Sequence, residues 1–137
     1  MKILKSLVIL SSFAAVVACS KAGPEAIATG KDQCENCKMT ITDTKYATQL
    51  VTEKGRVYKF DDIKCMQDYA MSNAEAAKNA KTYVADFASG EFFDSSTAIF
   101  IKDGSIKSPM GGNTQAYKDK AAADKAAVEF GATVMAK

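Results

Sequence analysis

The spacing of apolar residues changes from strand-like alternation to helical periodicity twice along this chain, in the same order both times. The first set predicts a strand, a turn, a strand, a helix and a further strand at residues 45–52, 53–55, 56–60, 60–79 and 82–87. Within the helix, Ile63, Met66 and Ala70 lie at helical spacing, and Asp61 or Asp62 is a suitable N-cap. This pattern predicts one ββαβ unit.

The second set repeats the order of elements without repeating the residues. It predicts two strands, a loop, a helix and a last strand at residues 97–102, 105–107, 108–113, 114–130 and 132–135. We therefore predict an α+β fold of two consecutive ββαβ units, at about residues 40–88 and 95–137. Each unit is expected to contribute one helix and part of an antiparallel sheet.

The N-terminus resembles a bacterial lipoprotein signal. Lys2 and Lys5 precede an apolar stretch at residues 7–18 that is too short to span a bilayer comfortably, and V-V-A-C closes it at residues 16–19. We expect cleavage before Cys19 and acylation of that cysteine, since more than one acyl chain anchors a protein stably to a membrane. The alternative is a plain secretory signal cleaved elsewhere, with Cys19 free or paired.

The predicted organisation is a signal peptide, a lipid-anchored tether and one folded domain, at residues 1–18, 19–31 and 32–137. Cleavage would leave 119 of the 137 residues, which is enough for one compact domain. Loss of Lys2 and Lys5 reduces the 18 basic residues to 16, equal to the 16 acidic ones, so no basic surplus indicates nucleic acid. We expect an extracytoplasmic, monomeric protein, anchored to a bacterial membrane and facing the periplasm.

The motif C-E-N-C-K-M at residues 34–39 limits the chemistry of the chain. If Cys19 is acylated, the remaining thiols are Cys34, Cys37 and Cys65, an odd number that cannot all pair within one chain. The chain has no histidine, which removes the commonest proton-transfer residue, and no nucleophile–base pair stands out. We therefore do not expect an enzyme.

Four kinds of site remain compatible with this motif. A thioredoxin-like redox pair opens a helix after a strand, whereas Cys34 and Cys37 precede a hairpin. Zinc needs four ligands and would require Asp61 or Asp62 beside the thiols. A Cys34–Cys37 disulfide with Cys65 buried in the core is the structural alternative. A Cu(I) site needs only a few sulfur ligands and no histidine.

The repeat places the sulfur-containing side chains at comparable positions in the two units. Thioether sulfur binds Cu(I) less tightly than thiolate, which suits a protein that passes copper on. We expect six residues to converge on one surface as candidate copper ligands: Cys34, Cys37, Met39, Cys65, Met66 and Met110.

Three motifs after the lipoprotein signal resemble the NosL family of accessory lipoproteins. They are C-x-x-C-x-M at residues 34–39, F-D-D-I-x-C-M at 60–66 and P-M-G at 109–111, and the resemblance covers nearly the whole mature chain. It implies a Cu(I)-binding metallochaperone built of two ββαβ units. It also implies two partners, which are nitrous-oxide reductase as the client copper enzyme and the membrane maturation machinery that loads this enzyme.

The first motif departs from the pattern of many NosL members. These have a histidine after the first cysteine and a glycine before the methionine, where this chain has Glu35 and Lys38. If that histidine is a copper ligand in those members, Cys65 is the obvious residue to replace it as a ligand here. For the copper ligands we favour a subset of the six sulfur residues: Cys34 or Cys37, Cys65, Met66 and Met110. The alternative functions are an extracytoplasmic thiol–disulfide protein that uses the C-x-x-C pair and a structural lipoprotein with a disulfide staple.

Overall fold

Seven strands and three α-helices follow one another in a computed structural model that describes residues 22–136. The elements are β1 (Thr48–Val51), β2 (Val57–Phe60), α1 (Ile63–Ser72), α2 (Ala74–Ala77), β3 (Lys81–Ala85), β4 (Phe92–Asp94), β5 (Ile99–Lys102), β6 (Thr114–Tyr117), α3 (Lys120–Phe130) and β7 (Thr133–Val134). The predicted signal peptide and Cys19 lie outside the described residues. Within those residues, no helix has the length and apolar character that crossing a bilayer requires.

The strands form two antiparallel sheets with the same connectivity. The first sheet has the order β2-β1-β3-β4 and the second has the order β6-β5-β7. In each sheet the first strand of a hairpin is flanked by its hairpin partner and by the strand that follows the helix. The prediction of an α+β fold with two ββαβ units is therefore confirmed, and β4 is an additional edge strand of the first sheet.

The register of the hairpins relates equivalent residues in the two units. Thr48 pairs with Phe60 in the first hairpin, and Ile99 pairs with Tyr117 in the second. Two residues after each hairpin an aspartate caps the helix: the Asp62 carboxylate accepts from the amide of Lys64 and the Asp119 carboxylate accepts from the amide of Ala122, both at 2.9 Å. Each cap satisfies a backbone donor that the first turn of a helix leaves unpaired.

The second hairpin differs from its prediction. Residues 105–107 are not a strand, and the partner of β5 is β6, which occupies the first part of the segment predicted as helix. Gln115 is buried in β6, where its side chain donates to the hydroxyl of Tyr46 at 3.2 Å and accepts from the hydroxyl of Tyr117 at 2.7 Å. These bonds satisfy the buried side-chain amide, so Gln115 is tolerated in a core strand. Helix α3 begins at Lys120, after this strand.

The first helix is also shorter than predicted. Asn73 ends α1, because its backbone amide and its side-chain amide both donate to the carbonyl of Tyr69, at 2.9 and 3.0 Å. The chain then makes the single turn of α2 before β3. Helix α1 packs on the first sheet through Tyr69, whose ring lies 5.1 Å from that of Tyr58 and 5.3 Å from that of Phe60.

The segment before the cysteine motif, residues 22–32, lies against the opposite face of the first sheet. Gln49 is fully buried and exchanges two hydrogen bonds with the backbone of Glu25, at 2.8 and 2.7 Å. Lys59 forms ion pairs with Asp32 at 2.9 Å and with Glu25 at 3.4 Å. Because strand side chains alternate between faces, this segment and α1 cover different sides of the hairpin.

Candidate metal centre

Four side chains from three segments meet at the end of the first hairpin. They are Cys34, Cys37, Asp61 and Cys65, and their sulfur and carboxylate oxygen atoms all lie within 4.8 Å of one another. A tetrahedral metal with bonds of about 2.3 Å to sulfur would hold its ligands about 3.8 Å apart. We call this group the thiol cluster. Its ligand atoms therefore need to approach one another by at most about 1 Å to close around an ion.

A tight turn presents the first two thiols. The amide of Cys34 donates to the carbonyl of Met39 at 2.8 Å, and the amide of Lys38 donates to the carbonyl of Cys34 at 2.9 Å. The amide of Glu35 donates to the carbonyl of Lys59 at 2.8 Å, which attaches this turn to β2. The two cysteines thus lie beside the residues that follow β2, which include Asp61.

The turn requires left-handed backbone at Lys38, whose φ is +62°. We expect Lys38→Gly to raise the free energy of unfolding by about 0.5–1 kcal/mol. Left-handed backbone costs a residue with a Cβ roughly 1–2 kcal/mol, and the greater freedom of glycine in the unfolded chain offsets about 0.5–1 kcal/mol of that gain. Urea unfolding of the apoprotein measures this change.

Lys38→Ala is the matched control for this prediction. It keeps the backbone strain and removes the ion pair between Lys38 and Glu35, whose charged atoms lie 3.2 Å apart at the surface. Such pairs contribute at most about 1 kcal/mol. A glycine variant no more stable than the alanine variant would show that the left-handed conformation carries no strain.

Asp61 and Cys65 flank Asp62, the N-cap of α1, in the sequence. Asp61 is 3% exposed, and its Oδ2 atom accepts from the Cys37 thiol at 3.5 Å. Its Oδ1 atom is buried and has no hydrogen-bond partner among the described residues. An unpaired buried carboxylate oxygen is costly, and a bound cation would satisfy it.

Burial raises the pKa of both interior thiols. Cys34 is fully buried, and this burial raises its pKa although the amides of Cys37 and Asp61 donate to its sulfur and oppose the shift. Burial also raises the pKa of Cys65, and the hydrogen bond with Asp61 and the charge of Cys34 raise it further. Both thiols are therefore protonated at neutral pH in the metal-free protein, and a metal must displace their protons.

The three candidate methionines occupy different environments. Met66 is buried in the core beneath α1, and Met110 is half-buried against the same core. The side chain of Met39 is 57% exposed. The structure thus brings the three predicted cysteines together, places two of the methionines in or against the core beside them, and leaves the third at the surface.

The backbone of Met110 is held against α1 by Asp62. The Oδ2 atom of Asp62 accepts from the hydroxyl of Ser108 at 2.6 Å, from the amide of Met110 at 2.9 Å and from the amide of Gly112 at 3.4 Å. A Cβ at Gly112 would lie 2.5 Å from Asp62 Oδ1 and 2.9 Å from Lys64 Cβ, so the loop needs glycine for this approach. A loop of the second unit is therefore fastened to the helix that carries Cys65, although Met110 lies before β6 and not, as predicted, directly before the helix.

Asp61 is the member of the thiol cluster that the predicted set of copper ligands omits. The sequence offers Asp61 and Asp62 both as N-cap candidates and as possible zinc ligands, and Asp62 is the N-cap of α1. A helix has one N-cap, so the second aspartate has no capping function. That surplus carboxylate next to Cys65 was the available signal.

The fold and the thiol cluster define a small α+β protein with a sulfur-rich centre suited to a soft metal ion. All three cysteines in the described part of the chain are free thiols. The chain belongs to the NosL family, whose sequence profile matches residues 25–137.

A solved structure with a similar fold is that of the copper chaperone NosL from Shewanella denitrificans. It is 18% identical in sequence and superposes with a TM-score of 0.70, over 85% of this chain and 93% of the other. A comparison with curated proteins gave no match.

Proposed function

We propose that this protein is a Cu(I) metallochaperone that delivers copper to a client enzyme, with nitrous-oxide reductase as the client. The observation that carries the proposal is the thiol cluster, in which three free thiols and one carboxylate lie within 4.8 Å of one another. Thiolate ligands favour soft metal ions such as Cu(I), and they also bind zinc. Membership of the NosL family and the fold shared with a protein described as a copper chaperone support the same function.

Anchoring at a membrane surface is part of this proposal. Acylation of Cys19 would tether the domain outside the cytoplasm, where the client and the membrane maturation machinery would receive copper. In this proposal the protein acts as a monomer and binds no nucleic acid. It performs no catalysis, because copper passes between proteins by ligand exchange.

A thiol–disulfide exchange function receives less support from the site. Exchange requires a thiol that is deprotonated near neutral pH, whereas burial raises the pKa of Cys34 and of Cys65. The carboxylate of Asp61 makes zinc the more specific second candidate, since three thiolates and one carboxylate complete a tetrahedral zinc site. The experiment below therefore includes both metals.

Anaerobic titration of the reduced protein with Cu(I), against a chromophoric chelator, tests the proposal. We expect one copper per chain with sub-micromolar or tighter affinity, and a higher affinity at about pH 8 than at about pH 6.5, because bound copper displaces protons from the thiols. A parallel titration with zinc is the control.

Transfer is tested by mixing the loaded protein with copper-free nitrous-oxide reductase and measuring copper in the separated enzyme. Failure to compete for Cu(I), or tight binding of zinc that prevents Cu(I) binding, would contradict the proposal. Tight Cu(I) binding without transfer would contradict the choice of client alone.

A further inference from the structure

The segment that leads into the domain is bound to the first hairpin from the hairpin turn onward. A Cβ at Gly55, in the turn between β1 and β2, would lie 3.3 Å from the Cβ of Ala22. The backbone of Glu25 is hydrogen-bonded to a side chain of β1, as described above, and the Lys59 ammonium donates to the carbonyl of Ala26 at 3.1 Å. The chain therefore enters the domain at the turn and runs along the strands.

This attachment limits how far the hairpin turn can be from an acylated Cys19. Cys19 precedes Ala22 by three residues, and three residues span at most about 11 Å even when fully extended. Acyl chains on Cys19 would be buried in a bilayer. Acylation would therefore hold the turn at residues 53–55 within reach of the lipid headgroups.

A cleft of about 680 Å³ lies between this turn and α2, and we call it the hairpin cleft. Its lining includes Lys54, Arg56 and Lys78, and none of these cations forms an ion pair with another described residue. The Arg56 guanidinium lies 4.7 Å from the centroid of the Tyr58 ring. Guanidinium groups bind phosphate oxygens through paired donors, and tyrosine suits a membrane–water interface. These groups fit a phospholipid headgroup.

Two carboxylates in the hairpin cleft oppose the attraction of an anionic surface. They belong to Glu53 and Glu75, and the Glu53 carboxylate accepts from the side-chain amide of Asn79 at 3.3 Å. The cleft thus has three cations against two carboxylates, which gives one surplus positive charge. Such an attraction is weak for a protein in solution. A lipid anchor makes it effective, because it keeps the cleft at a high local concentration of headgroups.

We propose that the hairpin cleft binds the headgroups of anionic phospholipids and fixes the orientation of the domain on the membrane. The thiol cluster then faces away from the bilayer. Asp61 follows Gly55 by six residues, which at about 3.4 Å per residue of strand places it about 20 Å from the turn. A client copper protein therefore approaches the cluster from the aqueous side. This inference rests on the acylation of Cys19, which is part of the proposed function.

A single tryptophan reports this orientation, because the chain contains none. Val57→Trp places it beside the turn, at a half-buried position that lines a second cleft together with Ala22 and Gly55. Thr42→Trp is the matched control, at an exposed position close to Asp61. Each acylated chain is incorporated into vesicles of equal parts phosphatidylethanolamine and phosphatidylglycerol with a dansyl-labelled headgroup. Energy transfer from tryptophan to dansyl is measured, and mass spectrometry detects the acyl chains on Cys19.

We expect energy transfer from Val57→Trp to be at least about twice that from Thr42→Trp. Transfer falls steeply with distance, and the two positions lie near opposite ends of a hairpin about 20 Å long. Neither substitution changes the charge of the chain, so the comparison reports the distance of each end from the headgroups.

The contribution of the cations is tested in the Val57→Trp chain. Combining Lys54→Gln, Arg56→Gln and Lys78→Gln should reduce the energy transfer by about half, because each cation near an anionic surface adds to the attraction. The control replaces three exposed lysines of the second unit by glutamine: Lys102, Lys120 and Lys125. It removes the same charge and should leave the transfer unchanged.

Equal energy transfer from the two tryptophan positions of an acylated chain would overturn this inference and leave the copper-binding function intact. The inference would also be overturned if the glutamine variant of the hairpin cleft transferred as much energy as its control. A chain without acyl chains on Cys19 would contradict the membrane anchoring in the proposed function, and this inference would fail with it. Cu(I) titration of the same preparations tests copper binding separately.

Discussion

Cys65→Ser is expected to weaken Cu(I) binding by about 100-fold or more. Loss of a group that only orients a metal ligand typically costs 10–100-fold in affinity, and this substitution removes a soft donor itself. A serine hydroxyl at the same place is a hard donor that stays protonated at neutral pH. Cys65 lies in the first turn of α1 and is 2% exposed, so water cannot easily replace the lost ligand.

The measurement is the competition titration described above, with Asp61→Asn as the graded comparison. Asparagine keeps an oxygen at the cluster and removes the charge, so its effect should be smaller, about tenfold. Because a hydroxyl buried without a partner also costs about 1–3 kcal/mol of stability, the free energy of unfolding of each apoprotein is measured separately. Wild-type affinity in a folded Cys65→Ser variant would remove this residue from the centre and leave Met66 and Met110 as the ligand candidates on α1 and its attached loop.

The elements predicted best are those whose burial follows a simple period. In the first hairpin, alternation and a turn placed both strands correctly, because Leu50 and Phe60 point to the same buried face. The cap of α1 was also predictable, since the choice lay between Asp61 and Asp62. The local sequence determines these strands and this cap, and the tertiary contacts favour the same structure.

The elements predicted worst are stabilised by contacts between distant segments. Gln115 belongs to a core strand because of its hydrogen bonds with Tyr46 and Tyr117, and no local pattern reveals these partners. The three-residue strand β4 exists because Phe92 and Phe93 pair with the end of β3. In such cases the pairing partner, and not the intrinsic preference of the residues, determines the structure.

In the candidate site too, features set by residue type were predictable and features set by contacts between distant segments were not. The cysteine motif and Cys65 were recognisable from residue type, since thiols have few uses in a chain without histidine. The sequence offered Asp61 and Asp62 equally as carboxylate ligands for zinc, because only the fold shows that Asp61 lies beside the thiols of the turn at residues 34–39. The attachment of Met110 to Asp62 spans 48 residues of sequence and was likewise invisible.

Asp62→Ala is expected to lower the free energy of unfolding by about 3–4 kcal/mol and to weaken Cu(I) binding as well. About 1 kcal/mol comes from the lost cap of α1. The remainder comes from Ser108, Met110 and Gly112, whose donors lose the carboxylate they share. Because these residues are only half-buried, water can partly replace the lost acceptor, and each donor should cost about 1 kcal/mol or slightly less. The loop that carries Met110 would then be free to move away from Cys65.

The equivalent cap in the second unit is the control, because Asp119→Ala removes the same bond to a helix amide without touching a loop. Asp119 is exposed, so its loss should cost only about 1 kcal/mol, and the thiol cluster should keep its affinity. Asp62→Asn retains a capping oxygen for Lys64 and should recover part of the stability. Urea unfolding and Cu(I) titration of the three variants separate the contribution of the helix cap from that of the bonds to the Met110 loop. Equal losses of stability in Asp62→Ala and Asp119→Ala would mean that Asp62 only caps its helix, and that its bonds to Ser108, Met110 and Gly112 do not hold this loop against α1.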